Sequence, residues 1–162
     1  MYGRRLPKTD PRVDAYGCVD ELNAALGMVR ATADASAMAD QILAIQKELV
    51  IVMGELATAP EDLMRYRKDG FQLTTADMVD RLTSAIDELE KDKNLYGKGW
   101  AIPGNTPLAA VFDFARTVCR RAERRVAGLE TNSNPEILRY LNRLSDLCWL
   151  FARRAEKTGW RA

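Results

Sequence analysis

Residues 115–125 read Ala-Arg-Thr-Val-Cys-Arg-Arg-Ala-Glu-Arg-Arg, five arginines and one glutamate within three helical turns. Arg116, Arg120 and Arg124 stand four apart, so each lies about 40° round a helix from the one before. Glu123 falls on the same stripe. The apolar residues Leu108, Val111, Phe112, Ala115, Cys119, Ala122, Val126 and Leu129 occupy an arc roughly 100° away. Such a helix is anchored in a core and carries guanidinium groups on its flank. Permanent, forked cations in a row suit a polyanion, and a triphosphate is the natural small one. A solvated face stitched by Glu–Arg pairs explains the same pattern, and the residues alone leave both open.

The elements that must position this ladder are helical. Asp10-Pro11, Thr106-Pro107 and Asn134-Pro135 each set an N-cap residue before a proline at the first helical position. The spacing predicts a first helix over 11–32, a second over about 39–58, a third from about 75, the arginine helix from 107 and a last helix over 135–157. Val19, Leu22, Leu26 and Val29 in the first and Leu141, Leu144, Cys148 and Phe151 in the last keep a 3.6-residue period. No long alternating stretch supports a sheet. Residues 59–74 are polar and predict a mobile loop, and 92–105 are glycine-rich, ending in an ordered turn. The architecture expected is all-α: a bundle of five helices in one domain, 1–162.

Two helices carry a second face. Tyr16, Asp20, Asn23 and Gly27 form a stripe on the first, where Gly27 leaves room for another backbone. Leu138, Asn142, Ser145 and Trp149 lie away from the apolar arc of the last. A helix with two non-solvent faces implies a second packing partner, which in so small a bundle is another subunit. Simple exposure of Asn142 and Ser145 remains the alternative.

Composition limits the function classes. Charged residues make up 29% of the 162-residue chain, yet the formal net charge is only +1, which argues against broad nucleic-acid binding. No apolar run is long enough to cross a bilayer, and no signal-peptide pattern opens the chain. Cys18, Cys119 and Cys148 are odd in number and scattered through helical segments, a pattern of reduced thiols in a cytoplasmic setting. Histidine is absent, which removes a His-based triad, a zinc site and a proximal histidine ligand. No metal site built from protein side chains is expected.

Three stretches carry a resemblance. Residues 10–23, Asp-Pro-Arg-Val-Asp-Ala-Tyr-Gly-Cys-Val-Asp-Glu-Leu-Asn, resemble the first-helix motif of the PduO-type ATP:cob(I)alamin (corrinoid) adenosyltransferases. Residues 115–125 resemble that family's arginine-helix motif, and 134–146, Asn-Pro-Glu-Ile-Leu-Arg-Tyr-Leu-Asn-Arg-Leu-Ser-Asp, its last-helix motif. They occur in family order and span nearly the whole chain. The resemblance implies a homotrimer of helical bundles with active sites between subunits. It also implies an enzyme that transfers the adenosyl group of ATP, taken with Mg2+, to a reduced corrinoid such as cobalamin, releasing triphosphate. The corrinoid supplies the difficult chemistry, so the protein needs no general base. Partners implied are a reductase or an adenosylcobalamin-dependent enzyme, with neither nucleic acid nor membrane.

Residue by residue, the resemblance implies that Arg120, Arg121, Glu123, Arg124 and Asn142 hold ATP and that Lys8 reaches its phosphates. Asp20 and Arg116 match a pair that forms a salt bridge between subunits and shapes the active site. Trp100 matches a large aromatic beside the corrinoid that keeps cobalt free of a lower axial ligand; its alternative is a loop aromatic capping the bundle.

The chain departs from the pattern in one place. The family usually opens with a Thr-Lys-Thr-Gly-Asp-x-Gly-type segment that wraps the triphosphate with backbone amides, whereas this sequence opens at Met-Tyr-Gly-Arg-Arg. An upstream start, a shortened chain or a divergent member that has lost nucleotide binding each explain this, and the intact arginine helix favours the first two. A second glycine is common where Pro103-Gly104 is followed by Asn105, and asparagine tolerates left-handed backbone angles. Besides the enzyme, a catalytically impaired relative that binds or hands over a corrinoid, and a basic helical scaffold, stay open.

Overall fold

The computed structural model describes residues 2–33, 37–96, 99–129 and 134–157. Three helices begin where proline meets a capping side chain. The Asp10 carboxylate accepts the Arg12 N–H at 2.8 Å and opens α1, Pro11–Thr32. The Asn134 side chain accepts the Glu136 N–H at 3.1 Å at the head of α6, Pro135–Lys157. Between them run α2, Ala37–Leu56, and α4, Ala76–Glu90. The arginine helix is α5, Pro107–Ala127, whose cap Thr106 accepts the Ala109 N–H at 3.1 Å. Each such cap satisfies an amide that the first helical turn leaves orphaned.

The five-helix expectation is corrected to six helices among the described residues. The segment 59–74 is no featureless loop: it folds into a 3-10 turn, Pro60–Asp62, and a short helix α3, Leu63–Lys68. Tyr66 docks it, buried at 3% exposure and stacked on Phe71 with ring centroids 4.7 Å apart. Gly54 of α2 makes this possible, because a Cβ there would collide with the Tyr66 hydroxyl. The buried Glu55 carboxylate then accepts the Thr74 N–H at 2.7 Å. A second 3-10 turn, Lys93–Leu95, follows α4.

No strand occurs among the described residues. Helix α5 packs against both α1 and α6, α1 against α2, and α6 against α4. One continuous core runs through this arrangement, with Leu22, Leu26, Phe112, Tyr140 and Leu141 fully buried. Each such side chain removed from water contributes about 1.5–3 kcal/mol. Glu48 of α2 joins two more helices, accepting from Arg81 of α4 and from the Tyr140 hydroxyl of α6, the latter at 2.8 Å.

Part of the second face read on the last helix is used inside the chain. Ser145 is buried, and its hydroxyl donates to the Asn142 carbonyl at 2.9 Å. Trp149 is tilted against Tyr96, with centroids 5.5 Å apart. On α1, Asp20 is exposed, and Gly27 faces the Gln46 side chain rather than another backbone. In the turn before α5 the left-handed angle falls on Gly104, φ +118°. Asn105 is free of it and donates from its side chain to Glu156 at 3.1 Å.

Candidate functional site

Helix α5 organises the candidate residues into two groups. Arg116 and Arg124 are eight residues apart, roughly 12 Å along the axis. The half of α5 nearer its C terminus carries Arg120, Arg121, Glu123 and Arg124. Arg120 and Arg124 are exposed and make no ion pair among the described residues. Arg121 is bound to Glu21 of α1, and Arg125 to Asp14 at 2.9 Å. These pairs are the stitched face that the sequence left open. The ladder thus divides into arginines tied to α1 and arginines presented to solvent.

Glu123 and Asn142 are brought together: the Asn142 amide donates to the Glu123 carboxylate at 3.0 Å. Arg143 donates to the Asn142 side-chain oxygen at 2.9 Å and pairs with Asp146 at 3.0 Å. Asn142 is thereby held against Glu123, on the helix that also carries Arg120 and Arg124. Lys8 is exposed in the segment before α1. That segment borders a groove lined by Arg4, Arg5, Arg12, Tyr16, Glu61 and Leu129, at the end where α1 begins and α5 stops.

The second group lies toward the start of α5. Trp100 is 99% exposed, which rules out the bundle-capping role within this chain. It borders a cleft whose other walls include Ala101, Arg116, Trp149 and Arg153. Arg116 donates from Nε to Asp113 at 3.1 Å. Asp20 and Arg116 form no salt bridge within the chain among the described residues; Arg116 is held by Asp113, and Asp20 points to solvent.

Asp113 and Arg153 escaped the sequence reading. Both are 4% exposed, and they face each other with Arg153 Nη2 2.5 Å from the carboxylate. In the sequence Asp113 is a charge set beside the apolar arc and Arg153 continues the Leu138–Asn142–Ser145–Trp149 stripe by one more turn, but neither position shows its partner until the helices pack.

The thiols are chemically quiet. Burial drives Cys119 well above its ordinary range. Burial likewise pushes Cys148 up to about 12, against the lowering pull of the Arg116 guanidinium. Cys18 is also raised, by burial first and by Asp14 second. None is a thiolate nucleophile at neutral pH. Among the described residues no group of three or more His, Cys, Asp or Glu side chains is arranged to hold a metal ion.

Known proteins share both sequence and architecture with this chain. A family model described as Cobalamin adenosyltransferase matches residues 1–155. The corrinoid adenosyltransferase PduO of Salmonella typhimurium is 37% identical over 157 residues, covering 93% of this chain and 44% of the relative. The corrinoid adenosyltransferase of Bacillus subtilis is 34% identical over 165 residues, covering 94% and 78%. The chain thus spans less than half of the first relative and most of the second. A solved variant of a PduO-type ATP:corrinoid adenosyltransferase from Lactobacillus reuteri, complexed with cobalamin and ATP, superposes with a TM-score of 0.85 at 32% identity. That superposition covers 100% of this chain and 90% of the other.

Proposed function

The chain belongs to the cobalamin adenosyltransferase family, and on that footing we propose that it transfers the 5′-deoxyadenosyl group of ATP to a reduced cob(I) corrinoid. The observation that carries this reading is the division of α5. Exposed Arg120 and Arg124, in no ion pair among the described residues, stand toward one end. Arg116 borders the Trp100 cleft toward the other. A reaction between a polyanion and a large planar co-substrate needs these two kinds of surface on one rigid element.

In this reaction cob(I) attacks the 5′ carbon of ATP. The cobalt–carbon bond forms, the carbon–oxygen bond breaks, and its electron pair leaves on triphosphate. The nucleophile comes with the corrinoid, so the protein's tasks are placement and neutralisation of the leaving group. Arg120, Arg124, Glu123 and Asn142 hold ATP, with Lys8 on its phosphates. Magnesium, arriving with ATP, would share in neutralising those phosphates. For Arg121 to join them it must exchange Glu21 for phosphate. That pair is about half exposed on both sides, so it is worth only about 0–1 kcal/mol and the exchange is cheap.

Trp100 packs beside the corrinoid. Its nearly complete exposure in the single chain supports this role, because an indole left in water is poised to bury apolar surface on binding. Asp20 and Arg116 pair across subunits of a homotrimer, which supplies the exposed Asp20 with the cation it lacks among the described residues of its own chain. The three free, buried cysteines support a reducing, cytoplasmic setting. A reductase that delivers cob(I), or an adenosylcobalamin-dependent enzyme that receives the product, completes the list of partners.

Phosphorus NMR of the reaction tests the proposal. Intact inorganic triphosphate should appear in equal amount to adenosylated corrinoid, and only when corrinoid is present. Release of monophosphate or pyrophosphate without corrinoid would mean an ATP hydrolase instead.

A further inference from the structure

Asp113 is a buried carboxylate shared by two arginines. One oxygen accepts from Arg116 at 3.1 Å and the other from Arg153 at 2.5 Å. Arg153 Nη2 also reaches Glu156 at 3.2 Å, and the same Glu156 oxygen accepts the Asn105 amide at 3.1 Å. Asn105 ends the loop that carries Trp100. An unbroken polar chain therefore runs Arg116–Asp113–Arg153–Glu156–Asn105. It contains two acids and two bases, so its charges cancel.

Stability alone does not explain this arrangement. Arg153 is 4% exposed, yet its Nε and Nη1 are buried without a hydrogen-bond partner. An interior arginine with unsatisfied donors costs stability, and an apolar side chain there would serve the core better. This unsatisfied group stands where it can matter, lining the same cleft as Trp100, with its Cζ 5.7 Å from the Trp149 ring centre.

Resting on the function proposed above, we propose that Asp113 is a positioning residue for corrinoid use. It holds Arg116 at the subunit-facing flank of α5 and, through Arg153, Glu156 and Asn105, fixes the loop that presents Trp100. The two sides of the corrinoid cleft are thereby set by one carboxylate. The nucleotide-holding arginines, farther along α5, lie outside this chain of contacts.

The test is steady-state kinetics of the full chain with magnesium-ATP and chemically reduced cob(I)alamin. Asp113→Asn keeps the shape but removes the charge and turns an N–H toward one of the two guanidiniums. The KM for corrinoid should rise about tenfold, the scale of one lost charge-assisted hydrogen bond, with the KM for ATP unchanged. Glu156→Ala cuts the same chain at a less buried point and should shift the same constant in the same direction. If circular dichroism shows Asp113→Asn unfolded, Glu156→Ala decides alone. A purely structural role would lower the active fraction, reducing kcat with both KM values intact, and that result overturns the inference. So does a corrinoid KM within about twofold of wild type in the folded variants. A wild-type chain with no turnover removes the proposed function and this inference with it, whereas an active wild type with unaltered variants removes the inference alone.

Discussion

Arg120 and Arg121 are adjacent in sequence and differently engaged: Arg121 is bound to Glu21, while Arg120 is exposed and in no ion pair among the described residues. Arg120→Ala should therefore weaken ATP binding by about tenfold or more, the loss of a guanidinium–phosphate contact. Unfolding free energy should move by less than about 0.5 kcal/mol, because only solvent is touched. Titration calorimetry beside a urea melt checks both, and an unaltered ATP affinity removes Arg120 from the site. Trp100→Ala should leave ATP affinity alone while slowing product formation that starts from cob(II). Normal turnover from cob(II) would defeat the corrinoid role of Trp100. The cysteines offer a control: burial raises all three thiols, so iodoacetamide at neutral pH should leave the native protein unlabelled and modify it only in denaturant. Mass spectrometry reads the difference, and rapid labelling of native protein contradicts the packing described.

Among the elements, α3 is docked through Tyr66, the one side chain it buries. Gly54→Ala would drive a methyl group into the Tyr66 hydroxyl, so it should cost about 1–3 kcal/mol as an overpacked site. It should also open 60–70 to limited proteolysis, with α1 and α5 still protected. Unaltered stability and protease resistance would mean that Tyr66 is not what holds this segment. The same segment shows what the sequence could and could not reveal. The three Asp/Thr/Asn-Pro starts were legible because a cap and a proline state a helix boundary locally, and α1, α5 and α6 begin there. Helix α3 was not legible: it is six residues long and buries one side chain, too little to set a period, and its docking depends on a distant glycine. Arg120 and Asn142 could be chosen from motif resemblance. Asp113 could not, because its meaning comes from Arg153, forty residues away, and a lone acid beside an apolar arc has no partner until the helices are packed.

At the scale of the molecule, one copy leaves its cleft open: Trp100 is bare, and Asp20 has no cation within the chain among the described residues. Assembly of three copies should complete it. Sedimentation equilibrium should give a mass three times the 18.2 kDa of the chain. Asp20→Arg, which in the proposed trimer would set like charges against Arg116 of a neighbour, should weaken that assembly and lower activity together. A wild-type monomer that is nonetheless fully active would contradict the shared site. The central claim is the transfer itself, and it is most directly tested anaerobically. Purified protein, magnesium-ATP and chemically reduced cob(I)alamin are mixed, and absorbance is followed for adenosylcobalamin. The account predicts conversion that depends on both the protein and ATP. A spectrum that stays at cob(I)alamin with active reductant and intact ATP present would contradict it.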